Sequence, residues 1–346
     1  MHLLSPHHIK LLKLVEQVAK AHTTAVFIVG GVIRDLYLGI PSNDFDFVVE
    51  GDAPQFAHAC EPALGGKVKV FEKFRTAKLA GLTAISSLVE VDFASTRKET
   101  YSKPGALPAV STAALQADLE RRDFTINSIA VPLSALCRWA EQSQAGFDRL
   151  RPALVDPRNG LEDLERRIIR CLHEKSFIDD PTRIFRAMRY KVRIAGELEK
   201  DTRSYIVRAL QGGCLDTVSE TRKLAELKRI MAESLCADTL GELARLGVFS
   251  CWPFISEQAV PRLLEALRAL QAADQRRLNP ELLFEVFLRL VLCLTPISER
   301  AHFMQRLALS KQRRRSIEND LPSIQSGHNP EIQSEAGRIV ADLLAR

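Results

Sequence analysis

Two aspartates one residue apart are the first candidates for chemistry in this chain. Segment 43–46 reads N-D-F-D and runs into the apolar stretch 45–49, so Asp44 and Asp46 occupy alternate positions of a strand-like segment. Side chains at i and i+2 of a strand point to the same face, about 7 Å apart along the backbone, so both carboxylates can reach one cation. Hard oxygen ligands suit Mg²⁺, and two such ions around a phosphoryl displacement need carboxylates of this kind.

A diglycine turn precedes the two acids. Segment 30–35 reads G-G-V-I-R-D and follows the apolar run 25–29. Gly31 allows the backbone to approach a phosphate closely, while helix N–H groups and Arg34 supply positive charge. A D-x-D pair alone is most often two solvated acids on a strand. Together with this turn it indicates a nucleotide-binding site of the polymerase type.

Two later segments place charged residues at useful spacings. Segment 121–130 reads R-R-D-F-T-I-N-S-I-A, in which paired arginines can fork onto triphosphate oxygens and Asp123 and Asn127, four residues apart, can reach ribose hydroxyls. Segment 179–189 reads D-D-P-T-R-I-F-R-A-M-R, where Pro181 suits the first helical position and Asp180 the N-cap. Each segment is also compatible with an ordinary capped helix that carries a basic stripe.

The elements that must position these residues change type along the chain. A helix is predicted over 8–21, and alternating or apolar runs predict strands over 25–29, 45–49, 68–71, 78–82 and 88–93. Long amphipathic stretches follow Ile168, so the second half is predicted to be helical. Segment 133–155 is interpreted as an irregular connection. The result is a mixed α/β part followed by helices.

Length and composition are those of an ordinary globular protein. The 346 residues suffice for two or three domains, and 26% charged residues with a net charge of +5 favour neither a disordered chain nor, by themselves, a nucleic-acid partner. Seven cysteines without a C-x-x-C pair indicate reduced thiols and disfavour a structural zinc site. We see no signal peptide and no apolar run of about 20 residues, so we expect a soluble, cytoplasmic protein without membrane contact.

The order of the motifs resembles a known family. G-G-V-I-R-D-L-Y-L-G with D-F-D, and R-R-D-F-T-I-N-S-I-A after it, are similar to the head-domain elements of class II nucleotidyltransferases, the CCA-adding tRNA enzymes and bacterial poly(A) polymerases. Segments 156–164, 179–189 and 219–227 resemble three further elements in the family's order. The resemblance covers roughly residues 25 to 230.

The resemblance implies an α+β fold with a polymerase-β-like head, a mixed sheet with helices, and then all-helical neck, body and tail. We expect the head over 1–155, the neck over 156–235 and the body and tail over 236–346. Asp44 and Asp46 take the role of the family's catalytic Mg²⁺ ligands. Asp92 is a possible third carboxylate on an adjacent strand, or equally an edge-strand acid.

The resemblance also assigns nucleotide-binding residues. Gly31, Arg34, Arg122, Asp123 and Asn127 match the head elements that bind the triphosphate and ribose.

In the neck, Asp180 and Arg183 match the pair that reads the base edge as a protein template, because a carboxylate acceptor and a guanidinium fork can match C or A. Arg186 and Arg189 match residues that contact the nucleotide or its phosphates. Asp179 stands where the family has glutamate, which puts the outer supporting contact in doubt but not the selecting pair.

Other matched positions point to structural roles. Segment 156–164 resembles the family's head-to-neck turn, with Asn159 in place of glycine, and Asn tolerates the left-handed conformation that such a turn needs. Arg222 and Glu226 match a neck helix, where their i, i+4 spacing predicts an ion pair. The basic run 311–315 is either an RNA-phosphate contact or a solvated helix face.

The implied reaction is attack of a tRNA 3′-hydroxyl on the α-phosphate of ATP or CTP, with pyrophosphate leaving. The stretch E-T-Y-S-K-P-G-A-L-P after Arg97 is similar to the loop that CC-only enzymes lack, so CCA addition is the first expectation, A-only addition the second and poly(A) synthesis the third. A small-molecule nucleotidyltransferase and a catalytically silent RNA-binding protein remain open. No His-Asp dipeptide occurs, so no phosphohydrolase domain of the HD type is expected.

Overall fold

The chain folds into two compact units. The structure, a computed structural model, describes residues 3–41, 45–85, 91–142, 146–251, 259–273, 280–306 and 315. The first unit is Met1–Ser176 and the second Phe177–Arg346. The predicted division of the helical part into neck and body stays a prediction. Over the described ranges no helix has both the length and the apolar character needed to cross a bilayer.

The first unit combines short strands with helices. Its strands are β1 (Ala25–Val29), β2 (Asp46–Glu50), β3 (Lys67–Phe71), β4 (Thr76–Ala80), β5 (Val91–Ser95), β6 (Arg97–Thr100), β7 (Ala109–Thr112), β8 (Ala130–Pro132) and β9 (Ile168–Ile169). Its helices are α1 (Pro6–Ala21), α2 (Gly31–Tyr37), α3 (Ala53–Leu64), α4 (Leu115–Glu120), α5 (Leu133–Glu141) and α6 (Gly160–Glu165). Single 3₁₀ turns cover Glu72–Phe74, Thr125–Asn127, Phe147–Arg149 and Arg151–Ala153. The short helix α7 (Ser176–Asp179) follows at the junction of the two units.

In the described part of the chain six strands form one mixed sheet in the order β3-β4-β5-β2-β1-β8. The pair β2–β5 is parallel, and the neighbouring pairs are antiparallel. The predicted run 25–29 coincides with β1, and 45–49 is displaced by one residue from β2. The predicted strand 78–82 begins two residues earlier as β4, and part of 88–93 lies outside the described residues. The predicted α+β fold class, a mixed sheet followed by helices, is confirmed.

Because side chains alternate along each strand, the two faces of this sheet contact different elements. Phe47 of β2 and Phe93 of β5 pack at 5.3 Å between ring centroids, and Phe56 of α3 meets Phe93 at 5.7 Å. Helix α3 therefore covers the face to which these phenylalanines point. Asp46 and Asp92 directly precede Phe47 and Phe93, so both acids belong to the opposite face.

That opposite face has its own small core. Val29 and Val48 are buried with Ala130 of β8 against Leu115 and Leu119 of α4. Helix α4 thus lies on the same side of the sheet as the acids, toward the β1–β8 side.

Two regions differ from the sequence prediction. Strands β6 and β7 form an antiparallel hairpin, with Arg97 opposite Thr112 and Thr100 opposite Ala109, where the sequence indicated a flexible loop. The interpretation of 133–155 as irregular is wrong for its first part, because α5 is a regular helix with Trp139 buried and bonded through Nε1 to the Gly146 carbonyl at 3.1 Å. Apolar residues in 133–140 recur at helical spacing, which is the signal that was overlooked.

The turn before α6 belongs to the first unit. Asp156 accepts hydrogen bonds from the backbone N–H groups of Gly160 at 2.7 Å and Leu161 at 2.8 Å, which places a carboxylate at the helix N-terminus. Asn159 has φ of 53°, as its tolerance for the left-handed region predicts. Asp163 accepts a 2.7 Å bond from Thr125 Oγ1. The turn is therefore fixed to the 3₁₀ segment 125–127.

The second unit is helical. Its helices are α8 (Arg183–Arg193), α9 (Lys200–Gln211), α10 (Glu220–Met231), α11 (Cys236–Arg245), α12 (Val260–Ala273), α13 (Pro280–Leu294) and α14 (Ile297–Arg306), with the two-residue strand β10 (Glu197–Leu198) and 3₁₀ turns at Cys214–Thr217 and Val248–Cys251. Helices α8, α10 and α11 pack against one another, α13 packs on α10, and α12 packs on α11. The predicted basic run 311–315 lies, except for Arg315, outside the described residues.

Candidate active site

The sheet brings two of the predicted carboxylates side by side. Asp46 and Asp92 are Cα partners across the parallel pair β2–β5, and Lys78 of β4 is the Cα partner of Asp92 on its other side. Residues paired in this way share one face of the sheet. Asp44 lies outside the described residues, so its position relative to Asp46 stays a prediction.

The donors at this position suit a hard divalent cation. Asp46 is exposed, and the side chain of Asp92 is 45% exposed, so both carboxylates are accessible to solvent ions. Lys78 Nζ lies 3.4 Å from Asp92 Oδ2 and supplies a positive charge to the same spot. In the ranges that the structure describes, which omit Asp44, no cluster of three or more His, Cys, Asp or Glu residues is placed to hold a metal. Carboxylate oxygens at adjacent positions are nevertheless the ligand type that Mg²⁺ uses.

The diglycine turn lies where β1 ends and α2 begins. Gly30 has φ of 79°, which other residues rarely adopt, and its N–H donates to the Ile129 carbonyl at 3.1 Å. The carbonyl of Gly30 accepts the first bonds of α2, from Ile33 and Arg34. A Cβ at Gly30 would lie 3.5 Å from Arg122 Nη1. The turn is therefore bordered by an arginine of the segment 121–130.

Arg34 is buried in a polar network. Its Nη1 donates to Asn127 Oδ1 at 2.8 Å, and its Nε and Nη2 donate to Asp35 Oδ1 at 2.9 and 2.8 Å. Asn127 Nδ2 donates in turn to Asp123 Oδ1 at 3.1 Å. The three predicted nucleotide-binding residues Arg34, Asp123 and Asn127 are thus assembled, although the Arg34 guanidinium is only 2% exposed and directed at protein partners. Their contacts with a nucleotide stay a prediction.

Arg122 follows helix α4 and pairs with a residue of that helix. Its Nη2 donates to Asp118 Oδ2 at 3.1 Å, and the neighbouring Arg121 donates to Asp118 Oδ1 through Nε at 3.0 Å and Nη2 at 2.6 Å. Burial would raise the pKa of Asp118, but attraction by Arg122 and Arg121 and their hydrogen bonds outweighs it and holds the pKa of this carboxyl below its usual range. Asp118 is therefore a buried anion.

In the second unit Asp180 is held by three groups. Its Oδ1 accepts from Thr182 N at 3.1 Å, from Thr182 Oγ1 at 2.6 Å and from Arg222 Nη2 at 2.8 Å. The predicted role of Asp180 as N-cap is wrong, because Thr182 is the N-cap of α8 and the bond from Thr182 N to Asp180 belongs to the turn before the helix. Helix α8 itself begins at Arg183, because the residues before it form a tighter turn in which Arg183 N donates to the Asp180 carbonyl at 3.0 Å.

The arginines of α8 cluster around one tyrosine. The guanidinium carbons of Arg186, Arg189 and Arg193 lie 5.5, 5.0 and 5.9 Å from the centroid of the Tyr190 ring. Arg189 Nη1 also lies 3.5 Å from Glu233 Oε1. Arg183 is 6% exposed and Arg189 is 9% exposed, whereas Arg186 is half-buried. Of the three arginines predicted to contact the nucleotide, Arg186 is therefore the most accessible to solvent.

The predicted pair between Arg222 and Glu226 is not the arrangement found. Arg222 reaches Asp180, 42 residues earlier in the chain, and Glu226 accepts from Arg229 Nη1. The prediction considered helix spacing alone, whereas Arg222, in the first turn of α10, has a partner from another element in Asp180. Arg222 therefore orients the side chain for which base contact is predicted.

Sequence reasoning missed three residues that hold these groups. Asp118 had a usable signal, since it stands three and four residues before the paired arginines, the spacing of helix ion pairs. Lys78 and Glu233 had no such signal. Lys78 meets Asp92 through the register of two strands, and Glu233 meets Arg189 of α8, which lies far away in the sequence.

Comparison with known proteins agrees with this arrangement. Residues 26–170 match the family described as Poly A polymerase head domain. An A-adding tRNA nucleotidyltransferase of Halalkalibacterium halodurans is 36% identical over 253 residues, which cover 72% of this chain and 55% of that protein. A CC-adding tRNA nucleotidyltransferase of Deinococcus radiodurans is 31% identical over 250 residues, 72% of this chain and 60% of that protein.

A solved structure resembles the chain over most of its length. The crystal structure of a tRNA nucleotidyltransferase complexed with a primer tRNA and an incoming ATP analog superposes with a TM-score of 0.71 at 25% identity, and the match covers 95% of this chain and 94% of that one. The mixed sheet of the first unit and the helices of the second are the fold of a polymerase-β-like head followed by helical parts. The chain belongs to the class II tRNA nucleotidyltransferase and bacterial poly(A) polymerase family. It spans little more than half the length of the two curated relatives.

Proposed function

We propose that this chain adds the 3′-terminal CCA to tRNA in the cytoplasm, using CTP and ATP and releasing pyrophosphate. The observation that carries the proposal is the register of Asp46 with Asp92 on the sheet whose strand β1 leads into the Gly30 turn, which Arg122 borders. Acids for a metal and a basic, glycine-lined turn for phosphates are what nucleotidyl transfer requires. The choice of tRNA as the substrate rests on the names of the two relatives, which are tRNA nucleotidyltransferases.

Asp46 and Asp92, together with Asp44, would hold Mg²⁺ in this proposal. Mg²⁺ ions bound there would lower the pKa of the attacking 3′-hydroxyl and neutralise charge on the departing pyrophosphate. The chain itself contributes Arg122 for the triphosphate and the pair Asp123 and Asn127 for the ribose. These groups orient the α-phosphate for attack.

Base selection is assigned to Asp180 and Arg183. The Asp180 carboxylate accepts from the amino group of cytosine or adenine, and the Arg183 guanidinium donates to the neighbouring ring acceptor. Uracil presents a carbonyl to Asp180 and is disfavoured. Thr182 and Arg222 hold Asp180 in place for this reading.

Addition of the terminal A alone is the second candidate. The relative that is 36% identical is named an A-adding enzyme, and the 31% identical one a CC-adding enzyme. The hairpin β6–β7 occupies the segment that resembles the loop retained by enzymes that add A. CCA addition and addition of A alone both need the same acids, so only the sequence of the extended tRNA distinguishes them.

Sequencing of reaction products separates these activities. The chain is incubated with Mg²⁺, CTP and ATP and with tRNA that ends before C74, after C74 or after C75. CCA addition extends all three to the complete end, whereas an A-adding enzyme extends only the last. Long A tails would indicate poly(A) synthesis instead. No extension of any tRNA, combined with labelling of an aminoglycoside, would replace the proposal by a small-molecule nucleotidyltransferase.

Replacement of Arg222 by methionine should weaken base selection. Asp180 then loses its ion pair and keeps only Thr182, so its carboxylate no longer has a fixed orientation. A charge-assisted hydrogen bond is worth about 1.5 kcal/mol or more, so incorporation of C and A relative to U and G should fall by roughly tenfold. Competition assays with all four nucleotides measure the ratio.

The matched control for this prediction is Arg229→Met on the same helix. Arg229 pairs with Glu226 and its side chain is 53% exposed, so the ratio should stay as in the wild type. Unchanged selectivity in Arg222→Met would remove the positioning role of Arg222.

A further inference from the structure

A single buried carboxylate joins three parts of the first unit. Asp118 of α4 has none of its surface exposed. It accepts from the backbone N–H of Arg97 in β6 at 3.2 Å, in addition to its bonds from Arg121 and Arg122. A buried anion is tolerated only where donors satisfy it. Asp118 therefore connects the hairpin β6–β7, the helix α4 and the segment 121–130.

Glu99 extends the network into the hairpin. It accepts from Arg121 Nη1 at 2.6 Å, from Arg97 Nη2 at 3.1 Å and from the Tyr101 hydroxyl at 2.9 Å. The Arg121 Nε also donates to the Arg97 carbonyl at 3.1 Å. The base of the hairpin is thus attached to the same carboxylate cluster as the arginines after α4.

Among the described residues, this network contains more guanidiniums than carboxylates. Three guanidiniums, those of Arg97, Arg121 and Arg122, face two carboxylates, those of Asp118 and Glu99. Arg97 and Arg121 are each bonded to Glu99, and Arg122 is paired with Asp118.

Arg122 is the member of the network that borders the phosphate turn. Its Nη1 would lie 3.5 Å from a Cβ at Gly30. Its Nε is buried and has no hydrogen-bond partner among the residues that the structure describes. A guanidinium with an unsatisfied donor, next to a glycine turn, is suited to an anionic oxygen.

On the basis of the proposed function, we propose that Asp118 is a positioning residue that couples nucleotide binding to the order of the hairpin β6–β7. Asp118 holds Arg122 against the Gly30 turn, where the guanidinium binds a triphosphate oxygen. Because the same carboxylate accepts from Arg97, movement of Arg122 toward a phosphate changes the support of β6. Nucleotide and hairpin then stabilise each other through one side chain.

A double-mutant cycle tests the first half of this coupling. Binding of Mg-ATP in the absence of tRNA is measured by calorimetry for the wild type, Asp118→Asn, Arg122→Ala and the double variant. If Asp118 acts through Arg122, Asp118→Asn weakens ATP binding about tenfold in the wild type and less than about twofold in the Arg122→Ala background. Equal losses in both backgrounds would show a general structural role and overturn the inference.

Hydrogen exchange tests the second half without any change at Asp118, which keeps the inference testable if Asp118→Asn does not fold. Saturating ATP should slow amide exchange across 97–112 at least about threefold in the wild type, and this protection should vanish in Arg122→Ala. Wild-type protein that binds ATP without added protection of the hairpin would contradict the coupling.

Two controls separate the parts of the network. Glu99→Gln removes a hairpin contact but leaves the Asp118–Arg122 pair, so protection of the hairpin without ATP should fall while added ATP still slows its exchange about threefold. Glu120→Gln on the same helix, whose pair with Arg158 is at 3.6 Å and exposed, should alter neither readout. Wild-type protein that does not bind ATP at all would instead refute the proposed function.

Discussion

Asp46→Asn should reduce nucleotide transfer by about a thousandfold or more while leaving tRNA binding nearly unchanged. Asp46 is exposed on the sheet face opposite Phe47, in register with Asp92, and asparagine keeps its shape while removing the charge that is proposed to bind a cation. Loss of one metal ligand removes several kcal/mol of transition-state stabilisation. RNA affinity comes mostly from phosphate contacts made by other residues.

Single-turnover extension of a tRNA lacking its last nucleotide measures the rate, and filter binding measures the affinity. The control is Asp52→Asn, which makes the same chemical change at the N-cap of α3, where the Asp52 side chain accepts from Gln55 N at 2.9 Å. Asparagine caps a helix as well as aspartate does, so activity and stability should persist. An Asp46→Asn rate near that of the wild type would defeat the assignment of this carboxylate.

Gly160→Ala should destabilise the first unit by about 3 kcal/mol, at the upper end of what overpacking costs. A Cβ at residue 160 would lie 2.0 Å from the backbone carbonyl oxygen of Thr125 and 3.1 Å from a side-chain carbon of Ile129. Because the atom that the new Cβ would meet first belongs to the backbone, the clash can be avoided only if the turn moves away from the segment 125–127. That movement would also strain the bonds of Asp156 to this turn.

Urea denaturation followed by circular dichroism gives the change in unfolding free energy. Gly241→Ala is the matched control, since a Cβ there meets side-chain atoms at ordinary distances of 3.7 Å and beyond and alanine favours the helix. Equal stability of Gly160→Ala and the wild type would show that the close approach is not present in solution.

Asn159→Gly should change stability by less than about 1 kcal/mol, because glycine adopts the left-handed conformation of Asn159 without strain.

Local patterns predicted the elements and the identity of the candidate acids. The apolar run 25–29 ends at glycine and becomes β1, and Asn159 adopts the conformation that its short polar side chain permits. These features depend on neighbours in the sequence. The aligned pair Asp46 and Asp92 depends instead on the parallel register of two strands, which no local pattern specifies.

The contacts that hold the candidate site could not be predicted for the same reason. Asp118 meets Arg97, 21 residues away, and Asp180 meets Arg222, 42 residues away. Spacing within α10 favoured Glu226 as the partner of Arg222, but a carboxylate from another element was better placed. The hairpin β6–β7 was overlooked because its strands are short and polar, and burial of its base depends on Glu99 and Arg121.

The alignment of Asp46 with Asp92 also implies a trade-off between the stability of the sheet and the proposed activity. Like charges directly opposite each other on adjacent strands oppose sheet formation. Lys78, paired with Asp92 on the far side, offsets part of that repulsion. This central pair of strands therefore lowers the stability of the fold. Selection for heat resistance alone would tend to replace these acids with neutral residues and so abolish the proposed activity.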